Sequence, residues 1–98
     1  MIELTDTTFE LKEGLMLVLF WAPWCDPCLE LKPVIEQLSI EGLDVYSINT
    51  DQNPLLTVRF QIKGVPTTLL FKDGVIMENI AGSVPLKVIL PFIQRHIK

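Results

Sequence analysis

Two cysteines stand three positions apart at the end of an apolar run, in Phe20-Trp21-Ala22-Pro23-Trp24-Cys25-Asp26-Pro27-Cys28. With two residues between them, one turn of helix brings both sulfurs together, so the pair can close a small disulfide and open it again. A Cys-x-x-Cys between a predicted strand and a predicted helix is typical of a redox site. The spacing alone is weak evidence, but the flanking tryptophans and the later Val65-Pro66-Thr67 strengthen it.

A structural disulfide and a metal site are the alternatives for this cysteine pair. Closing so small a loop removes little entropy from the unfolded chain, so a permanent disulfide here would stabilise the fold weakly. A zinc site needs about four ligands, and His96 is the remaining candidate for a third. We therefore expect a catalytic pair, with no metal and no bound cofactor other than the disulfide between Cys25 and Cys28.

The composition favours one small globular domain over residues 1–98, since 49% of the residues are apolar. The net charge of −4 leaves no basic patch for nucleic acid or for an anionic membrane. The N-terminus lacks the basic region of a secretory signal, and Leu15–Ala22 is roughly ten residues too short to span a membrane. We therefore expect a cytoplasmic protein, a setting in which a cysteine pair is more often catalytic than structural.

Hydrophobic patterning predicts alternating strands and helices. The predicted strands are Met1–Leu4, Leu15–Trp21, Leu43–Asn49, Thr67–Phe71 and Val75–Ile80. The predicted helices are Phe9–Lys12 after a cap at Thr5 or Asp6, Asp26–Ile40 ended by Gly42, Leu55–Phe60, and a last helix capped by Ser83, with Pro85 in its first turn, that runs to about Ile97. Asp73-Gly74 supplies the positive φ angles of a hairpin turn between the last two strands.

This order predicts an α/β fold, a mixed central sheet of about five strands with four helices distributed on both faces. Long strand–helix–strand connections imply parallel neighbours with right-handed crossovers, and the hairpin adds an antiparallel pair. The uniformly apolar Leu15–Trp21 is expected at the centre, covered on both sides. Pro33 and Pro91 fall inside predicted helices, where we expect kinks; no function follows for Pro91.

The expected position of the cysteines at the start of a helix predicts which of them is the nucleophile and which is the resolving thiol. A helix N-terminus carries partial positive charge, which favours a thiolate at Cys25. Cys25, the more exposed thiol, is then the nucleophile, and Cys28 attacks the mixed disulfide to release the product. Pro27 restrains the turn between them, and its missing N–H is harmless at the start of a helix.

At this point the chain resembles the thioredoxin family over nearly its whole length. The active-site pattern Trp-Cys-Gly-Pro-Cys of that family is matched except at Asp26, and Pro33 matches its helix-kinking proline. Further segments that match are Phe20-Trp21-Ala22, Asn49-Thr50-Asp51-Gln52-Asn53-Pro54, Gly64-Val65-Pro66-Thr67, Phe71-Lys72-Asp73-Gly74 and Gly82. The resemblance implies the thioredoxin fold and a protein disulfide oxidoreductase.

The resemblance also implies a substrate groove. The Val65–Pro66 bond is expected to be cis, with its loop against the cysteines and the Val65 backbone available to an extended substrate strand. The expected groove around Cys25 is shallow and apolar, and it is formed by Trp24, Val65, Pro66 and Gly82. For Gly82, a simple turn glycine remains an equal alternative; for Trp21, we expect core packing.

Three departures from the family pattern concern charge. Asp26 replaces the glycine between the cysteines; it disfavours a Cys25 thiolate, and it can at the same time cap the helix by accepting the Leu29 N–H. Leu19 and Ser47 occupy the positions of the buried aspartate and its lysine partner, which leaves no internal base for Cys28. Leu29 stands where a basic residue often follows the second cysteine, so a positive charge that would draw acidic partners is missing.

The leading functional hypothesis is a cytoplasmic dithiol carrier, an enzyme that reduces protein disulfides. Its expected partners are disulfide-containing proteins and an electron donor resembling thioredoxin reductase, with no nucleic acid or membrane, and the chain itself is expected to be a monomer. One alternative is a binding module that kept the fold and uses its cysteines little, since fold does not guarantee activity. The other alternative is a disulfide isomerase or oxidant.

Overall fold

A five-stranded mixed sheet forms the centre of the computed structural model, which describes residues 1–97. The strands are β1 (Ile2–Glu3), β2 (Leu15–Trp21), β3 (Leu43–Asn49), β4 (Thr67–Lys72) and β5 (Val75–Ala81). Their spatial order is β1-β3-β2-β4-β5. β3 runs parallel to both β1 and β2, whereas β4 is antiparallel to β2 and to β5. The predicted mixed α/β sheet is confirmed.

The described residues contain three helices, one fewer than predicted. They are α1 (Asp26–Glu36), α2 (Pro54–Arg59) and α3 (Leu86–Gln94). α1 and α3 pack on one face of the sheet and α2 on the other, so the predicted cover on both faces is confirmed. No helix within residues 1–97 is both long and apolar enough to cross a lipid bilayer.

The predicted short helix at Phe9–Lys12 is wrong. The Phe9 N–H does bond the Thr5 carbonyl at 3.0 Å, but this single turn is not continued. A single turn does not offset the cost of starting a helix. In addition, the carboxylate of Asp6, expected as a cap for this segment, instead accepts N–H groups at the start of α2.

The helix ends also differ from the prediction. α1 stops at Glu36 instead of Ile40, because the next residues close its last turn onto nearby carbonyls. Gly42, with φ +85°, does not end the helix but belongs to the turn that leads into β3. α3 has Pro85 and not Ser83 at its N-cap and ends at Gln94, short of Ile97. α2 begins and ends one residue earlier than predicted.

β2 joins the two halves of the core, since all of its residues are buried. Its odd-numbered side chains meet the buried residues of α1 and α3: Cys28, Leu31, Ile35, Ile89 and Ile93. Its even-numbered side chains meet Leu56 of α2, and one of them, Phe20, joins an aromatic cluster with Phe9, Phe60 and Phe71. Each large side chain buried in this way stabilises the fold by about 1.5–3 kcal/mol. The end of β2, and with it the start of the loop that follows, is therefore held in a fixed position.

Candidate active site

The two cysteines lie where β2 ends and α1 begins. Cys25 is the N-cap of α1, with an extended backbone (φ −97°, ψ 103°), and Cys28 lies in the first turn. A disulfide joins them, with their Cα atoms 5.2 Å apart. The Cys28 N–H donates to Cys25 Sγ at 3.2 Å, so the sulfur of the first cysteine takes the place of a capping oxygen.

Cys25 is less accessible than its expected role suggests. Its relative exposure is 5%, against 0% for Cys28, so the predicted order of exposure holds but both cysteines count as buried. The carbonyl oxygen of Val65 lies 3.7 Å from Cys25 Sγ and covers part of the sulfur. The Val65 loop therefore lies directly beside the sulfur of Cys25.

The predicted cap by Asp26 is wrong. The Leu29 N–H bonds the Cys25 carbonyl at 3.1 Å, so the helix already begins at Asp26 itself. The Asp26 carboxylate is exposed in the first turn, where a negative charge interacts favourably with the helix dipole. Pro27 follows at the second helical position, where no intrahelical N–H bond is lost.

The Val65 loop and the start of the segment after β5 meet beside Cys25. The Val65–Pro66 peptide bond is cis, as the resemblance implied. The Gly82 N–H donates to the Pro66 carbonyl at 2.8 Å, and Gly82 has φ +84°, a region that glycine adopts without strain. Three of the four predicted groove residues, Val65, Pro66 and Gly82, are therefore linked to one another and, through the Val65 carbonyl, to Cys25.

Trp24, the fourth predicted groove residue, is 69% exposed. Its indole Nε1–H donates to Asp51 Oδ1 at 3.1 Å, which fixes one edge of the ring. We did not single out Asp51 from the sequence, although a signal was present. Asp51 follows β3, which is parallel to β2, so both strands deliver the residues after them to the same edge of the sheet. Trp21, by contrast, is buried, as expected of a core residue.

An uncharged row of side chains lies across the sheet on the α1 face. Leu19 pairs with Ser47 of β3 on one side and with Thr68 of β4 on the other. All three are at most 1% exposed. The two substituted positions are thus neighbours in the sheet under α1, where neither carries a charge.

A lysine approaches this region from α1. Lys32 Nζ lies 3.7 Å from the centroid of the Trp21 ring, well inside the range of a cation–π contact. Sequence reasoning missed this contact. Its signal was the spacing, because Lys32 follows Cys28 by four residues and so lies on the same side of the helix.

Within residues 1–97, no group of three or more potential ligands is arranged to hold a metal ion. His96 instead contacts Glu78 of β5, with Nε2 2.6 Å from the carboxylate oxygen. It lines a surface pocket together with Gly14 and Leu15, at the amino end of β2. The cysteines follow the carboxyl end of that strand, so His96 lies at the opposite end of β2 from the redox pair.

Comparisons with known proteins place this arrangement in context. A family model described as Thioredoxin matches residues 1–95. Thioredoxin 1 of Synechococcus elongatus is 36% identical over 95% of this chain and 94% of its own length. The thioredoxin of Staphylococcus haemolyticus is 32% identical over 98% of this chain and 97% of its own. The chloroplastic M-type thioredoxin of Spinacia oleracea is 39% identical over 84% of this chain, which matches 47% of that longer protein.

Proposed function

This chain belongs to the thioredoxin family and is a thiol-disulfide oxidoreductase, and on that premise we propose that it is a cytoplasmic dithiol carrier which reduces disulfides in partner proteins. The observation that carries the proposal is the Cys25–Cys28 pair at the start of α1, with the cis Val65–Pro66 loop beside it. In general, the family implies disulfide-containing substrates and a reductase as electron donor. Its contribution would be to cell redox homeostasis.

In the proposed cycle, the reduced pair gives two electrons to a substrate disulfide. The Cys25 thiolate attacks one substrate sulfur, a mixed disulfide forms, and the other substrate sulfur leaves as a thiolate. Cys28, after losing its proton to solvent, attacks Cys25 Sγ. The Cys25–Cys28 bond forms, the mixed disulfide breaks, and the second substrate thiolate leaves. A separate reductase then reduces the pair by the same exchange in reverse.

The position of Cys25 supports its role as the nucleophile. A thiolate there would accept the Cys28 N–H, which already points at Cys25 Sγ from 3.2 Å, and would lie at the positive end of α1. Both effects favour the charged form of the sulfur. The exposed carboxylate of Asp26 opposes them, but solvent screens its charge more strongly than it screens the buried N–H contact.

The loop at Val65 supports recognition of an extended peptide. We propose that Trp24, Val65, Pro66 and Gly82 form the groove, with backbone hydrogen bonds from the substrate to Val65. Such pairing is independent of side chains, so it suits an enzyme that acts on varied protein disulfides. The exposed face of Trp24 adds apolar contact area next to the reacting sulfur.

The remaining features of the proposal are simple. Residues 1–98 act as one thioredoxin-like domain and as a monomer, with no bound cofactor besides the disulfide. Neither nucleic acid nor a membrane takes part. Leu19 and Ser47 modulate the site because they leave the space under Cys28 uncharged, while Asp26 and Pro27 act at the helix start.

The reduction potential of the Cys25–Cys28 pair tests the proposal. It is measured from tryptophan fluorescence in graded thiol redox buffers, with Trp24 beside the disulfide as the reporter. We expect one reversible midpoint near or below about −270 mV, a value that belongs to thioredoxin as a reference and not to this chain. A midpoint near about −180 mV or higher would instead indicate an isomerase or oxidant.

A protein-binding module is the second candidate, and the uncharged row under Cys28 is the observation that favours it. Without a buried acid or base, the resolving step lacks the internal proton acceptor that the family pattern places there. If no reversible midpoint exists and Cys25→Ser retains the cellular function, the binding module replaces the enzyme. If Cys25→Ser abolishes that function, the dithiol carrier stands.

A further inference from the structure

We propose that Lys32 is the electrostatic partner of Cys28: its ammonium group, held over the Trp21 ring, stabilises the Cys28 thiolate during release of the substrate. The inference rests on the proposed dithiol chemistry and adds a residue to it. Lys32 would not exchange a proton or an electron. It would act as a positioning residue, through the charge that it places beside the resolving sulfur.

Helix geometry places the two side chains together. Residues four apart on an α-helix have Cβ atoms about 5–6 Å from one another, and Cys28 and Lys32 both lie in α1. Lysine side chains on helix surfaces usually extend into solvent. Here the ammonium lies 3.7 Å from the centroid of the Trp21 ring. Trp21 and Cys28 belong to the same buried cluster, and Lys32 lies one helical turn from Cys28, so the contact with Trp21 keeps the charge on the side of α1 that carries the cysteine.

The surroundings make this charge effective. On the sheet face below Cys28, Leu19, Ser47 and Thr68 carry no charge and are almost fully buried. α3 contributes the buried side chains of Ile89 and Ile93 to this cluster, and Phe92 packs against it. The nearby acidic side chains on α1, Asp26 and Glu30, are exposed, so solvent screens them. A cation beside an apolar cluster acts through a lower effective dielectric and has a larger effect on a nearby thiolate.

The step affected is the second half of the exchange. Cys28 gives its proton to solvent and attacks Cys25 Sγ; the new disulfide forms, and the bond from Cys25 to the substrate breaks. In the family pattern a buried carboxylate assists at this point, and Leu19 rules that out here. A nearby cation serves the same step differently, because it lowers the cost of holding Cys28 as an anion while water accepts the proton.

Stopped-flow reaction of the reduced protein with dithiodipyridine separates the two halves. This small disulfide is neutral at the working pH and releases one coloured thiopyridone at each step. The first release reports attack by Cys25, and the second reports resolution by Cys28. Rates are measured between about pH 6 and 10, the range in which protein thiols titrate. The variants compared are Lys32→Met, Lys32→Arg and, as a matched control, Lys87→Met at an exposed lysine of α3.

Lys32→Met should slow the second release at neutral pH and accelerate it at high pH. Loss of one nearby charge is expected to raise the pH midpoint of the second release by about one unit, a tenfold loss of thiolate. The more basic thiolate is about threefold more nucleophilic, since the Brønsted coefficient is about 0.4–0.5. The net result is about threefold slower release below both midpoints and about threefold faster release above them.

This crossing of the two pH profiles is what a purely structural role would not produce. Lys32→Arg keeps the charge and the contact with Trp21, so it should follow the wild-type profile, as should Lys87→Met. The inference is overturned if the Lys32→Met profile matches wild type, or if its second release is slower by one factor at every pH. If the wild-type protein shows no second release at all, the proposed dithiol function fails instead, independently of Lys32.

Discussion

The carboxylate of Asp6 holds the start of α2 from a distant part of the chain. It accepts the Leu56 N–H at 2.9 Å and the Leu55 N–H at 3.2 Å, while the Asp6 N–H donates to the Asn53 side chain at 2.8 Å. Asn53, at the N-cap position, makes no side-chain cap of its own. Asp6 therefore does the work of the capping residue, although it lies 50 positions from Leu56.

Asp6→Ala should destabilise the protein by about 2 kcal/mol. Loss of a capping side chain costs about 1 kcal/mol, and loss of a negative charge at a helix N-terminus adds about 0.3–1 kcal/mol. The Leu56 N–H is also left without a partner in a partly buried place, which puts the sum near the upper end. For a chain of this size, the midpoint of thermal unfolding should fall by about 10 °C. Asp6→Asn keeps a capping oxygen and should lose less than half as much.

Urea unfolding of the oxidised protein, followed by circular dichroism, measures this loss. The slope of the free energy against urea should not change, because the surface exposed on unfolding is the same. Glu10→Ala removes an exposed carboxylate from the same segment and should stay within about 0.5 kcal/mol of wild type. If Asp6→Ala is no less stable than Glu10→Ala, the capping contact contributes nothing and the reasoning fails.

Three further predictions concern single side chains. Asp26→Asn removes the charge beside Cys25 and should raise the rate of Cys25 alkylation near pH 6 by about twofold; an unchanged rate would show that solvent screens the carboxylate fully. Trp24→Phe should leave the free energy of unfolding within about 0.5 kcal/mol of wild type but slow the reduction of a protein disulfide by about fivefold. A small neutral disulfide is the control substrate; if its reduction is slowed equally, Trp24 lies outside the groove. The hydrogen bond to Asp44 raises the pKa of Lys12. Lys12→Met should therefore lower the free energy of unfolding at neutral pH by no more than about 0.5 kcal/mol, measured by urea unfolding. Because the pKa of Lys12 is higher in the folded than in the unfolded state, this difference should disappear as the pH rises past about 10.4 and the lysine loses its charge. A difference that persists at high pH would come from packing.

The elements that could be predicted from sequence are those whose signal is local and repeated. Seven consecutive apolar residues identify β2 as central, since only a strand covered on both faces buries all of them. The Asp73-Gly74 turn has φ values of 52° and 82°, as its hairpin role requires. The prediction that the loop at Pro66 lies beside Cys25 came from the family motifs, because no local sequence pattern shows that residues of separate loops are close together.

The features missed by sequence analysis depend on contacts between distant segments. Aspartate is a common capping residue, and Asp6 does cap a helix, but that helix is α2, which begins at Pro54. A rule based on neighbouring residues assigned it to its own segment, and the predicted helix at Phe9 followed from that error. The pairing of Trp24 with Asp51 was hidden for the same reason, since it depends on β2 and β3 ending at one edge.

The distribution of charge around the cysteines differs from that of the family pattern in a consistent way. Neither Leu19 nor Ser47, under the helix, carries a charge, so no ion has to be desolvated there, a cost of several kcal/mol for each buried ion. Two charges on α1 are instead partly or fully accessible: Asp26 in the first turn, and Lys32 six residues further along. They have opposite signs, and each lies nearer to a different cysteine in the sequence. Asp26 opposes the thiolate at Cys25 and Lys32 favours it at Cys28, so this site should attack substrates more slowly, but release them more readily, than a site without these two side chains.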